Sequence, residues 1–588
     1  MAKKPKKSRG RQPSYPDGDG SFVDRRPQTF VVAAAVLTLL PFIGKAFHID
    51  DTLFLWTARH ILTNPLNFYG FPANWYGYDL AMSTINQNPP LAAYLIALAA
   101  SVGGWGEPVM HFAFMIPAVM LVFGTYHLAR SFTGRPVVAA ITALFTPVFL
   151  VSATNLMTDT LMVSFYVWAV VFWQWGLDSG CARWFVLSAA AISFSFLAKY
   201  YGITLVPLLA VYTLLYRRRF DLRILWLAVP VVVAVIYQQY TKSLYGAGLL
   251  TNAGNYALDR GLTGFSHLFG KTLTGFSYTG GCIVVTALFM PLLWNRRTCV
   301  LFGALAAALV TALVLAGQIG SYPLVGAGGF RWWTAVQVAV FAMAGIHVFL
   351  LAFDDLMARR DASSVMLLCW VAGTFLFASF LNWTTNARTI YPMLPAAAIL
   401  VCRRLDRCSL PALKPGKAAM VAVFVTAAAV SFAVAHADYA YAGSQRDVAQ
   451  YFGAKLRSFP NKIRFQGHWG FQYYMERNGF PPIDHKNIDV AAGDIIITPL
   501  NNTNARKYLG NLIHKVERLD IVPSRFVTVM SMATGAGFYS DLWGPLPFAF
   551  GTLRPDTYLV QLVGRFESER DAVDYYRRAT DENVSPPE

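Results

Sequence analysis

Residues 108–129 read PVMHFAFMIPAVMLVFGTYHLA, twenty-two residues without a single Asp, Glu, Lys or Arg. About 20 helical residues cross the hydrocarbon core of a bilayer, so this stretch is long enough to span it. The pattern recurs outward in both directions: 136–158, 272–295, 332–353 and 362–387 are also free of formal charge, and 28–44 and 418–435 are shorter versions. The run 298–330 is longer than one span needs and must contain a loop. Hydrophobic residues make up 55% of the 588 and charged ones 14%, where a soluble protein carries about 25% charge. Most of this chain has lipid as its solvent.

The net charge of +17 is where a nucleic-acid partner would first be sought. Up to residue 436 there are 32 basic and 15 acidic residues; from 437 onward there are 17 of each. The whole excess therefore belongs to the apolar part, where loops on the cytoplasmic side of a membrane collect Lys and Arg. Nucleic-acid binding is excluded on that ground. Residues 1–27 are basic and Pro/Gly-rich without hydrophobic period, as expected of a disordered cytoplasmic tail. The first apolar segment is long and lacks a small-residue cleavage site, which argues against a signal peptide.

With the N-terminus inside, alternation of the basic clusters predicts thirteen spans, near 28–47, 109–129, 136–153, 159–177, 184–198, 200–216, 223–241, 274–294, 299–317, 332–352, 363–381, 389–402 and 418–436. This threading places 24 basic residues inside and eight outside. The chain then divides into the tail 1–27, a transmembrane domain 28–436 whose first outer loop is 48–107, and an extracytoplasmic domain 437–588. The segment 89–105 reads as a helix lying along the outer membrane face. In the last domain, 462–466, 494–498, 526–530 and 558–563 read as strands and 511–519 and 568–579 as helices, which predicts a small α/β unit. The six cysteines all lie before residue 409, without metal-ligand spacing.

Candidate chemistry gathers at the outer boundary. After the first span comes His48-Ile-Asp50-Asp51; adjacent carboxylates beside a bilayer need solvent, a cation or a partner. They either mark the membrane boundary or supply a general base with a metal- or acceptor-binding partner. Asp159 heads an apolar run, either as a helix N-cap or as a second acid on the same face. Lys199, between two apolar runs, either snorkels to the interface or meets a phosphate oxygen. Arg388 is an outside cation before a span, with Tyr391 just beyond it. His267 is a candidate metal ligand. The segment 467–476, with His468 and Trp469, has the aromatic-polar mixture of a sugar-stacking surface and equally that of an amphipathic helix packed into its domain.

In order and spacing these residues resemble the family 39/83-type glycosyltransferases, which include protein O-mannosyltransferases and the lipid A aminoarabinose transferase. The resemblance runs over about 28–405: Asp50-Asp51 after the first span, Asn88-Pro89-Pro90-Leu91, Asp159 heading a span, Lys199-Tyr200-Tyr-Gly202, and Arg388 with Tyr391-Pro392. It implies a GT-C fold and a sugar donor carried on a polyprenyl phosphate. Carried over, Asp50 takes the place of the catalytic aspartate, Asp51 of the neighbouring acid, Asp159 of a second acidic site residue and Lys199 of a lysine near the donor phosphate. The chain departs from the lipid A transferases at Leu53-Phe54, where they carry Arg-Tyr, and at Asn88, where they carry Lys.

The expectation is an inverting transfer on the outer face to a lipid, glycan or protein acceptor. Asp50, Asp51 and Asp159 are the catalytic candidates, and Lys199, Arg388 and Tyr391 the phosphate contacts. A divalent metal would sit on Asp51, Asp159 and His267. His48, Asn88, Tyr200, His468 and Trp469 are the substrate contacts, and the soluble domain shapes the acceptor entrance. The alternatives are a polytopic transporter and a non-catalytic sugar-binding subunit. An oligosaccharyltransferase is disfavoured because Trp332-Trp333 is followed by Thr334 rather than Asp.

Overall fold

A computed structural model describes residues 22–261, 265–326, 328–408, 416–506, 512–551, 555–580 and 584–587, with the side chains of 22, 24, 257–261 and 265–267 outside the described set. The protein is a multi-pass α-helical membrane protein with a small C-terminal region built on a sheet. Most of the expected basic tail, 1–21, lies outside the described residues.

Among the described residues, seven of the thirteen expected spans are helices long and apolar enough to cross a membrane: Glu107–Ala129, Thr158–Ser179, Leu222–Tyr245, Arg296–Ala316, Trp332–Arg359, Ala362–Leu381 and Lys417–Lys455. An eighth is a bent pair, Pro136–Leu144 and Pro147–Ala153, at 65°. Pro147 sits at the start of the second piece, where its missing N–H costs nothing but continuation from the first is blocked. The other five are short or broken, among them Ala182–Ala198 and Leu394–Arg407. Segment 89–105 forms Leu91–Gly103, a helix of 13 residues, too short for a span. The run 298–330 contains the loop its length demands, as two small hairpins after Ala316.

The expected boundary at 436/437 falls inside one continuous helix of 39 residues, Lys417–Lys455. It leaves the apolar segment and enters the C-terminal region without a break, so the two parts share a rigid element. Beyond it, β1 (Ile463–Phe465), β2 (Ile495–Pro499), β3 (Ile513–Ile521) and β4 (Asp556–Val563) form a sheet in the order β1-β2-β4-β3. Only β1 and β2 are parallel. The helix expected at 511–519 is instead β3. Val516 and Leu519 are both buried, a spacing of three that reads as helical, but the register slips between Val560 and Gln561 opposite them. Such a bulge resets the alternation, so residues an odd number apart can share a face.

Asp556, at the start of β4, is buried with Asn501 Nδ2 at 2.7 Å, and burial pushes its carboxyl up to about 7. A folded value above the ordinary 3.8 means that stability is complete below 3.8 and is lost as pH rises through about 7. Asp556→Asn is therefore expected to stabilise the fold at pH 8 by on the order of 2–4 kcal/mol, seen as a higher thermal midpoint. The gain should shrink steadily toward pH 4 in detergent melts, and a gain independent of pH would refute the assignment.

Candidate active site

Asp50 and Asp51 stand at the start of the helix Asp51–Ile61. The turn before them is strained: Ile49 has φ of +48°, a left-handed conformation that a β-branched residue adopts only when its surroundings impose it. Asp51 supplies that constraint. Its Oδ2 accepts from His48 N at 2.9 Å and its Oδ1 from Leu156 N at 2.9 Å. It thereby ties the turn to the loop that precedes Asp159. Completely buried, its carboxyl is raised to about 7 by desolvation, against the lowering effect of the His48 N–H. Asp51 holds the site together and is turned away from solvent.

Asp50, by contrast, keeps 31% of its side chain exposed and accepts from Arg388 Nη1 at 3.1 Å. The same nitrogen lies 4.0 Å from Asp159 Oδ2, while Asp159 Oδ1 accepts from Lys199 Nζ at 2.6 Å. Asp159 is 1% exposed and does not cap its helix: the cap position of Thr158–Ser179 is Met157. Two carboxylates and two cations from four distant stretches thus form one chain, Asp50–Arg388–Asp159–Lys199. Its polar groups are not all saturated, since Asp159 Oδ2 and Arg388 Nε have no hydrogen-bond partner among the described residues.

Local sequence explains the placement of the cations. Lys199 occupies the extended residue between the helix Ala182–Ala198 and the turn Tyr200–Thr204. That kink is tight because Gly202 lies on the backbone of Ser195, where a Cβ would come to 2.4 Å. Arg388 is held by the cap of Asn386, whose Oδ1 accepts from Thr389 N at 3.0 Å. Tyr391 is fully buried against Phe149, near enough to Asp159 to feel its charge.

Several expected substrate contacts are taken up by the fold. Tyr200 donates to Gln87 O at 2.6 Å, and the Asn88 amide donates to Asn86 Oδ1 at 3.1 Å. Both pin the 86–88 loop beside Lys199. His48 is buried between Tyr441 and Tyr539, 3.5 Å from Asp438. His468 stacks on Trp75 at 5.0 Å and reaches Asn504 through Nε2 at 2.6 Å. Trp469 opens the helix Trp469–Arg477, and its carbonyl accepts from Thr52 Oγ1 at 2.9 Å. The segment 467–476 is thus the packed amphipathic helix of the two alternatives, docked on the turn that carries Asp50. Gly470 permits this approach, because a Cβ there would meet Phe47 O at 2.2 Å.

Of the three expected metal ligands, the two described ones are engaged by other groups. Asp51 is taken up by backbone N–H groups, Asp159 is neutralised by Lys199 and Arg388, and the His267 side chain lies outside the described residues. Among the described residues no group of three or more His, Cys, Asp and Glu is placed to hold a metal ion. Sequence inspection missed a fully buried cluster behind the site. Lys45 Nζ pairs with Asp438 and reaches Asn155 Oδ1 at 2.5 Å, and Tyr539 Oη donates to Asp438 Oδ1 at 2.9 Å. Its sequence signals are Lys45, directly beyond the apolar run 28–44, and Asp438, just beyond the run ending near 436.

A multi-pass helical membrane protein with such a cluster at its helix ends invites comparison with membrane transferases. Residues 87–239 match the family described as dolichyl-phosphate-mannose-protein mannosyltransferase, a segment that contains Asn88, Asp159, Lys199 and Tyr200. No curated protein matches the chain in sequence. Among solved structures, an Archaeoglobus fulgidus oligosaccharyltransferase tethered to an acceptor peptide is 14% identical, with a TM-score of 0.47. The match covers 79% of this chain and 64% of that one, so the chain spans less than two thirds of that protein. ArnT from Cupriavidus metallidurans bound to undecaprenyl phosphate is 15% identical over 82% of this chain and 94% of that one, with a TM-score of 0.42. A complex of the Archaeoglobus enzyme with Zn and sulfate is 12% identical over 80% and 68%, with a TM-score of 0.46.

Proposed function

We propose that the protein is a membrane glycosyltransferase that moves a sugar from a polyprenyl-phosphate donor to an acceptor hydroxyl, inverting the anomeric carbon. The observation that carries this is the chain Asp50–Arg388–Asp159–Lys199, which joins a solvent-accessible carboxylate to two cations. The match of 87–239 to the mannosyltransferase family supports it.

In the proposed step Asp50 takes the proton of the acceptor hydroxyl as its oxygen bonds to the anomeric carbon. The bond from that carbon to the phosphate oxygen breaks, and its electron pair leaves with the phosphate. Cations placed where negative charge develops lower the barrier to such a departure, which is the role given to Arg388 and Lys199. Asp159 keeps both cations in place, Tyr391 backs it, and Asp51 fixes the turn that aims Asp50. The helices hold the isoprenoid tail in lipid while the sugar meets a lipid, glycan or protein acceptor at the membrane surface. The excess of basic residues in alternate loops supports an inner (plasma) membrane protein with a cytoplasmic N-terminus and the 437–588 region outside. A transporter would carry its ionisable groups near the bilayer midplane, whereas Asp50, Asp159 and Lys199 flank helix ends.

The test incubates the purified full-length protein with a panel of radiolabelled polyprenyl-phosphate sugars and follows release of the lipid phosphate. A protein that discharges none of them is not this enzyme. With Arg388 beside both Asp50 and Asp159, and Lys199 on Asp159, dialysis against EDTA is expected to leave the rate within about twofold. A loss restored by Mg²⁺ or Mn²⁺ would instead assign a metal to Asp50, the more exposed carboxylate.

A further inference from the structure

Resting on that function, we propose that Tyr539 of the C-terminal domain is a positioning residue that holds Arg388 toward Asp50, so that the soluble domain forms part of the reaction centre. Two sets of contacts lead there. The first is backbone pairing beside Arg388: Ala387 N donates to Phe538 O at 2.9 Å, and Asp541 N donates to Thr385 O at 2.9 Å. The short segment carrying Arg388, a helix of four residues, Ala387–Ile390, is thus clamped by 538–541 as well as by its own Asn386 cap.

The second set is made by the Tyr539 side chain. Its ring lies 5.5 Å from the Arg388 guanidinium, face to the cation, an attractive arrangement that strengthens where water is excluded. Its hydroxyl is anchored on the far side: it donates to Asp438 and accepts from Asn155 Nδ2 at 2.8 Å. Asn155 stands one residue before Leu156, whose N–H holds Asp51. One aromatic side chain therefore connects the cation, the long helix through Asp438 and the loop leading to Asp159. Anchored at its hydroxyl, the ring stands against Arg388, whose Nη1 meets Asp50.

Tyr539 touches no reacting atom in this arrangement, so its effect must appear in kcat rather than in acceptor affinity. The experiment compares wild type, Tyr539→Phe, Tyr539→Leu, Arg388→Lys and the double variant Tyr539→Leu/Arg388→Lys, with thermal midpoints measured alongside. Tyr539→Leu is expected to lower kcat by about tenfold or more with acceptor KM within about threefold, and Tyr539→Phe, which keeps the ring, to recover most of the loss. In the Arg388→Lys background the leucine should add little. A wild-type kcat for Tyr539→Leu, equal losses in both single Tyr539 variants, or strict additivity with Arg388→Lys would overturn the proposal. Binding of undecaprenyl phosphate, read by tryptophan fluorescence, separates the two levels. A wild-type protein that binds the lipid but transfers no sugar removes the function, and the same cycle run on Kd then decides the role of Tyr539.

Discussion

Asp50→Asn is expected to lower sugar transfer about a thousandfold, the middle of the range for loss of a general base, while leaving the protein folded and inserted. Asparagine has the same shape, keeps an oxygen for Arg388 Nη1 and cannot take a proton. Asp50 makes no side-chain cap to its helix and is partly exposed, so no buried network is broken. Asp51→Asn should behave differently, because one of its two N–H partners, His48 or Leu156, would face an amide NH₂. Loss of that tie frees the strained turn at Ile49, and both stability and rate should fall. Rates and melting midpoints of the two variants, measured together in detergent, separate chemistry from scaffolding. A wild-type rate for Asp50→Asn would remove Asp50 from the reaction, whereas absence of transfer by the wild type itself would favour a sugar-binding protein that keeps the fold without the activity.

Asp438→Ala is expected to cost about 3–5 kcal/mol, the usual penalty for stranding one charge of a buried pair. Lys45 and Asp438 are both 0% exposed, and without the carboxylate the ammonium keeps, among the described residues, only the neutral Asn155 and Thr154 as hydrogen-bond partners. Tyr539 would lose its acceptor in the same stroke. Lys45→Met should be destabilising to a similar degree. The double variant Lys45→Met/Asp438→Ala should melt well above the midpoint predicted by adding the two losses, because no unpaired charge remains. Additive losses would show that the two residues act independently, contrary to the contact between them.

Much of the architecture was legible along the chain. Hydropathy and basic-residue bias are sums over neighbouring residues, so the runs at 108–129, 332–353 and 418–435 declared themselves as membrane helices. The same local signals found Asp50, Asp159, Lys199 and Arg388, because each is a charge standing beside an apolar run. They could not say where every such run breaks: Pro147 divides 136–153, a segment that hydropathy alone joins. Nor could local pattern show that Val516 and Leu519 share a strand face, since the bulge responsible is defined by the partner strand.

Pairing was the part that the linear order concealed. Asp50 meets Arg388 across 338 positions and Lys45 meets Asp438 across 393, and no window along the chain contains both partners. Composition and period therefore determined the solvent in which this protein lives and which charges are unusual there. Tertiary structure alone decided which of two adjacent aspartates keeps access to water and which is buried as a brace. The choice follows from the two N–H groups that converge on Asp51 and the guanidinium that reaches Asp50, all of them brought there by packing between elements remote in sequence.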